Sequence, residues 1–561
     1  MRKPDNWYRL AVWLFILAVV ALTVYRQTPP AAVADAPPTE FASGRAMRHV
    51  AEVGKEPHPM DSPAHDAVRD YILGELRRMG FAPEVQSVPP DSVSPGTVLQ
   101  TDLQNIAARL AGSQPGGKAV MLVAHYDSAR DSSGACDDGA GVATLLETAR
   151  ALKAGPPPPR DVIFLFTDGE EEVLLGAKAF AAEHPWLEEV GMVLNFEARG
   201  CKGAVYMFET SEENGWLVRE FGRASPYPLA SSLMSDIYRQ LSLTTDLKVF
   251  IREGIPGLNF AFVEDAMAHH SPRDRPEALD ERSLQHHGSY ALALTRHFAN
   301  TDLAVPRTTN AVYFDVLGTG LISYPRTWAL PLAAAAALIF LGLLVYGLVR
   351  KRLKLSGVMV GFVALPVALG VSYFVATFIW EATRAMHPDY TRFSHYKIYL
   401  LALAAVALAI TSAVYLLAGR KAAALDLYFG ALLVWAILTA AVGVYRPYAS
   451  YAVLWPFVFA LAAAVFMLAQ GERAFDSPAA LAVLCVCAVP GVVLLTNTIH
   501  LIALGIGLAR AGVLVALAVL LYGLLVPHIS LTAAPRRWLL PALALLAGVV
   551  LLVVGNLQPG V

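Results

Sequence analysis

Continuous apolar runs of two lengths organise this chain. The short ones, Ala119 to Ala124, Val162 to Phe166 and Met192 to Leu194, are apolar at every position and alternate with stretches of helical periodicity. One such stretch opens at Ser62-Pro63, repeats Val68, Ile72, Leu76 and Met79, and stops at Gly80. A capping hydroxyl followed by proline starts a helix, and a glycine ends it. Short runs with no polar face suit strands buried on both sides, and their alternation with helices predicts βαβ units. The expected fold is therefore α/β, a mixed, mostly parallel central sheet sandwiched by helices.

The long runs lie beyond residue 328. Eight are expected, near 328–349, 356–380, 396–418, 424–445, 450–470, 479–499, 508–527 and 535–556. Each has about the 20 residues that a helix needs to cross ~30 Å of hydrocarbon. They predict an all-α polytopic membrane domain. A further run at 10–25 follows Arg2, Lys3 and Arg9 and ends at Arg26, away from the small residues Ala32-Val33-Ala34. It is read as a retained anchor rather than a cleaved signal. The expected domains are 1–26 anchor, 27–44 Ala/Pro-rich tether, 45–305 catalytic domain, 306–327 linker and 328–561 membrane domain.

Composition sharpens this division. Of 561 residues 55% are hydrophobic and 16% charged, a balance displaced from that of soluble proteins by the C-terminal half. A net charge of −2 without a basic patch gives no reason to expect nucleic acid, so the partners expected are a lipid bilayer and a substrate. Four cysteines are too few for a disulfide framework. Cys485 and Cys487 read as packing residues, and a bond between Cys136 and Cys201 is the minority reading.

Polar side chains of metal-binding type cluster where the short runs end. The segments are His125-Tyr126-Asp127, Cys136-Asp137-Asp138-Gly139, Asp168-Gly169-Glu170-Glu171, Asn195-Phe196-Glu197 and His269-His270-Ser271-Pro272. In parallel sheets ligands collect at the carboxyl ends of strands, so these distant segments should converge. An imidazole there can bind zinc while a neighbouring carboxylate takes its other ring proton. Asp137 or Asp138 could bridge two cations or merely cap the following helix. Three consecutive carboxylates at 170–172 after a buried strand are costly unless cations or solvent neutralise them. Together the five segments read as a two-zinc hydrolase site, in which adjacent acids can separately bind metal and move protons. His58 and His65, beside a Pro-rich turn, are read as packing residues.

These motifs resemble the co-catalytic di-zinc aminopeptidases of peptidase clan MH, in the membrane-bound branch with endoplasmic reticulum metallopeptidase and vacuolar membrane protease. The resemblance covers about residues 45 to 300 and rests on His-Tyr-Asp-Ser at 125, Asp-Asp-Gly-Ala-Gly at 137, Gly-Glu-Glu at 169, Asn-Phe-Glu-Ala at 195 and His-Ser-Pro-Arg-Asp at 270. It implies two zinc ions bridged by Asp137, with His125 and Glu197 completing one site and Glu171 and His270 the other. It further implies Glu170 as general base and acid, Asp127 as the partner of His125, a cis Asp137–Asp138 bond, and peptide N-termini as substrate. His269 stands where tyrosine is frequent, and Thr245-Asp246 where Ser-Asp is common.

Two other classes compete. One is a glutaminyl cyclase, carboxypeptidase or deacylase on a related scaffold; the full ligand set and the short interval from Glu197 to His270 weigh against these. The other is a transporter or receptor with a regulatory metal domain, for which the long runs carry few charges: Glu381 and Arg384 past one helix end, and Asp426 near the start of another. Basic residues at 350–354, 420–421, 473 and 536–537 predict cytoplasmic loops and place residues 27–327 outside the cytoplasm. The Arg-, Ala- and Leu-rich composition suggests a bacterial inner membrane with a periplasmic catalytic domain, an organelle with a lumenal one being the alternative.

Overall fold

A computed structural model describes residues 6–94, 101–114, 116–241, 243–303, 308–391, 393–471, 474, 477–531 and 538–558, which form two compact units. Glu472-Arg473 and Arg536-Arg537, used above as topology markers, lie outside the described residues, as do Arg2 and Lys3.

The first unit is Gln27–Pro325. Its strands are β1 (Glu84–Val88), β2 (Leu103–Leu110), β3 (Ala119–His125), β4 (Val162–Thr167), β5 (Val190–Ala198), β6 (Lys202–Thr210), β7 (Gly257–Glu264), β8 (Ala311–Asp315) and β9 (Leu321–Pro325). Seven make one sheet in the order β1-β2-β4-β3-β5-β7-β6. Only the central β4-β3-β5-β7 block is parallel; β1, β2 and β6 run antiparallel at the margins. The three apolar runs fall in this block because it is covered on both faces. One face, with Val120, Leu122, Phe164, Leu194 and Phe260, packs against helices that include Ser43–Val53, Gly139–Lys153 and Glu281–Ala299. The other, with Met121, Val123, Ile163, Leu165 and Val193, packs against Leu175–Glu183 and Leu247–Arg252.

This unit is wider than 45–305 at both ends. Residues 27–44, expected as a free tether, fold onto the domain: the Ser43 hydroxyl donates to Val33 O at 3.1 Å, and Arg150 donates to Pro38 O at 2.7 Å and to Glu40 O at 3.0 Å. The backbone carbonyls of a proline-rich segment are strong acceptors, and arginines on the domain surface take them. The expected linker 306–327 contains the β8–β9 hairpin. Gln27 is buried and joins the two ends, donating to Asp315 Oδ2 at 3.2 Å and accepting from the Tyr206 hydroxyl at 3.1 Å.

The second unit is residues 1–26 with Arg326–Val561. Among the described residues, seven stretches in it are long and apolar enough to cross a membrane. The expected sixth and seventh spans count as one, Pro478–Leu524, because they join through a single 3-10 turn at Gly507–Arg510. The second arm returns beside the first, bringing Leu524 and His528 to Leu484, Cys487 and Gly491. Helix Asn6–Tyr25 packs against Pro478–Ile506 and buries Val12 and Ile16, so it belongs to the bundle. Helices Leu355–Met386 and Ala424–Tyr445 cross at glycines: a Cβ on Gly361 would lie 2.4 Å from Leu427 O, and one on Gly430 2.3 Å from Val358 O. Small residues let membrane helices approach this closely. Asp426 is buried and accepts the Lys354 N–H at 2.9 Å, capping the neighbouring helix.

Candidate metal centre

Every strand of the parallel block delivers one piece of the site. His125 is the last residue of β3, Glu197 lies in β5, Glu170 and Glu171 follow β4, and His269 and His270 follow β7. Asp137 and Asp138 precede helix Gly139–Lys153 and are joined by a cis peptide bond. Asp138 caps that helix, accepting the Gly141 N–H at 3.0 Å, which leaves Asp137 facing the strand ends.

The two carboxylate oxygens of Asp137 point at different histidines. Oδ1 is 3.5 Å from His125 Nε2, and Oδ2 is 3.4 Å from His270 Nε2. His125 Nε2 also lies 3.8 Å from Glu197 Oε2, and His270 Nε2 lies 2.9 Å from Glu171 Oε1. Donors bound to one tetrahedral ion at about 2.0–2.1 Å are roughly 3.3–3.5 Å from one another. The Asp137 separations lie at the long limit of a hydrogen bond and match the spacing of donors around one ion, so each Asp137 oxygen is paired with a histidine beside which it could hold a metal. His269 Nε2 is 3.6 Å from Asp137 Oδ2 and stacks on His270, but among the described residues only His270 meets both Asp137 and Glu171. Cys136, Cys201 and Asp274 also cluster, but the two sulfurs are bonded to each other.

Burial pushes the carboxyls of Glu170, Glu197 and Asp138 well above the usual range. Burial also opposes ionisation of Asp137, but hydrogen bonds from His125 and His270 hold it well below that range. His270 is raised to about 10 against its own desolvation by Asp137 and Glu171.

Asp127 organises the margin. Its Oδ1 is 3.3 Å from His125 Nδ1, and its two oxygens accept the N–H groups of Glu170 and Glu171, each at 3.1 Å. It thereby orients the histidine and the acidic loop together. The acidic loop itself is strained, with Val173 and Leu174 at φ 72° and 62°.

All seven expected site residues converge, and sequence reasoning missed their supports. Asp274, the last residue of the His-Ser-Pro-Arg-Asp stretch, is fully buried and accepts the N–H groups of Cys136 at 2.6 Å and Asp137 at 3.2 Å. Asp246 accepts from the Thr167 hydroxyl beside the acidic cluster, and burial raises it to about 6. The Cys136–Cys201 disulfide, the minority reading, is formed and joins the Asp137 loop to the turn between β5 and β6. Of the tyrosines near the site, Tyr206 is bonded to Gln27, whereas Tyr238 feels the charges of Glu209, Glu197 and Glu170. His58 and His65 are committed elsewhere, to Glu56 O and Asp168.

Residues 105–295 match the model for peptidase family M28. That stretch, about a third of the chain, resembles the family. That family is one of zinc-dependent peptidases. Endoplasmic reticulum metallopeptidase 1 of Mus musculus is 32% identical over 237 residues, which are 41% of this chain and 26% of the relative. Vacuolar membrane protease of Yarrowia lipolytica is 30% identical over 363 residues, 59% of this chain and 36% of the relative. The chain thus spans between about a quarter and two fifths of the length of the curated relatives it matches. Among solved structures, an aminopeptidase from Aneurinibacillus sp. strain AM-1 is 14% identical, covering 45% of this chain and 93% of its own with a TM-score of 0.37. A glutaminyl cyclase from Porphyromonas gingivalis is 22% identical, covering 46% and 99% with a TM-score of 0.37. Nothing among these supports the bacterial inner membrane, and relatives named for the endoplasmic reticulum and the vacuole fit the organelle alternative.

Proposed function

We propose that this chain is a membrane-embedded two-zinc aminopeptidase. The observation that carries the reading is the division of the Asp137 carboxylate between His125 and His270. In it His125, Asp137 and Glu197 hold one ion and Asp137, Glu171 and His270 the other. Bound zinc supplies Lewis acidity toward a carbonyl oxygen and acidifies water. Asp127 fixes the ring of His125 through Nδ1, which leaves Nε2 free to ligate. Glu170, its backbone held by Asp127, is free at its carboxylate to take a proton from the attacking water and return it to the leaving amine.

The soluble unit works on the lumenal side in this reading. The positive loops support that orientation, and so does the Cys136–Cys201 bond, since disulfides persist in oxidising compartments. The test is elemental analysis of zinc-replete full-length protein, paired with hydrolysis of free and N-acetylated amino-acid amides. Two zinc ions and cleavage of only the free amides are expected. At most one tightly held ion would favour a cyclase, and equal cleavage of acetylated amides would remove the aminopeptidase assignment.

A further inference from the structure

A buried acid sits two strands away from the centre, unused by the chemistry above. Asn195, Asn259 and Glu209 are direct cross-strand neighbours on β5, β7 and β6, so their side chains share one face of the sheet with Glu197. Asn195 Nδ2 donates to Glu197 Oε1 and to Asn259 Oδ1, each at 3.1 Å. Asn259 Nδ2 donates to Glu209 Oε2 at 3.0 Å and to Thr245 Oγ1 at 2.7 Å. The polar row thus runs from a zinc-site carboxylate to Glu209, over two strand spacings of about 5 Å each.

Glu209 is 3% exposed, yet it has no ion-pair partner among the described residues. Its second oxygen makes no hydrogen bond there either. Lys248 and Arg239 act on it only through space, and Arg239 is paired with Glu212 at 2.8 Å. Tyr238 stands edge-on to Phe208, the chain neighbour of Glu209, with ring centroids 4.8 Å apart. A carboxylate buried without a cation is costly, and a cation supplied by the substrate removes that cost.

We propose that Glu209 is a specificity residue, receiving a cationic group of the peptide substrate. A lysine or arginine side chain of the substrate is one source of that charge. The α-ammonium of the substrate is the other source of the same charge. This inference rests on the peptidase reading for its substrate, but not for its binding site.

The test uses the full-length protein in detergent, wild type against Glu209→Gln, with Glu209→Asp as the charge-keeping control. Readouts are zinc content, KM and kcat for lysine, arginine and leucine amides, and calorimetric binding of lysinamide and leucinamide. A rise in KM of about tenfold or more for lysine and arginine amides alone, with zinc retained and partly rescued by Glu209→Asp, assigns the side-chain cation. An equal rise for all free amides assigns the α-ammonium. Loss of zinc, a fall in kcat shared by all substrates, or no change in KM or binding would each overturn the proposal. If the wild type cleaves nothing but lysinamide binding weakens in Glu209→Gln, the cation site stands and the peptidase reading falls.

Discussion

The carboxylate of Asp274 accepts the backbone N–H of Cys136 at 2.6 Å across 138 residues of sequence, so the loop after β7 holds the loop that presents Asp137. Asp274→Ala leaves buried N–H groups of Cys136 and Asp137 without an acceptor, at about 1–3 kcal/mol each. The expected result is a domain destabilised by a few kcal/mol with weaker zinc binding, while Asp274→Asn keeps one acceptor and loses less. Chemical denaturation with zinc titration checks this, and unchanged zinc affinity in Asp274→Ala would show that the tie is dispensable.

Metal stoichiometry should separate the bridging residue from the others. Asp137→Ala is expected to lose both ions, and His125→Ala to weaken mainly one. Elemental analysis of the two variants decides, and one retained ion in Asp137→Ala would exclude the bridge.

Adjacent acids should behave differently. Glu170→Gln is expected to keep zinc and lower turnover by roughly 10²-fold or more. Glu171→Gln should lose zinc from the site it shares with His270, 2.9 Å away. Near-normal turnover in Glu170→Gln would remove its role as base.

Four buried histidines of the soluble unit should each weaken it in mild acid, against the buried carboxyls of Glu170, Glu197 and Asp138, whose raised pKa values act the other way. Burial lowers His49 and His58 to about 4 and His286 and His287 to about 3. These rings stay neutral in the folded protein while the unfolded chain takes up their protons near pH 6.5. Their stabilisation is full above that value and is lost as pH falls toward 4 and 3, by about 1.4 kcal/mol per pH unit for each histidine. Unfolding free energies of metal-free protein between pH 7 and 4 measure this, and His49→Gln with His58→Gln should flatten the slope.

Reporter fusions test orientation. Joined after residues 300, 390 and 561, a phosphatase that folds only outside the cytoplasm should be active; joined after 353 and 421 it should be silent. An inactive, well-expressed fusion at 300 would reverse the topology.

Three of the five ligand segments, those of His125, Glu170-Glu171 and Glu197, were legible because they follow a run that is apolar at every position, and only strands in the middle of a covered sheet read that way. Marginal strands carried no such signal: β1, Glu84–Val88, is mostly exposed, and β9, Leu321–Pro325, has no buried residue. Hence the β8–β9 hairpin was assigned to a linker. Asp274 and Asp246 were invisible as supports because a buried aspartate is defined by the N–H or hydroxyl it meets, and those partners lie far off in sequence. The Cys136–Cys201 bond is of the same kind, closed over 65 residues by the arrangement of the strands.

The hydrogen bond from Gln27 to Asp315 ties the first residue of the soluble unit to its last hairpin across 288 residues of sequence, a contact that forms only when both ends of the unit have folded.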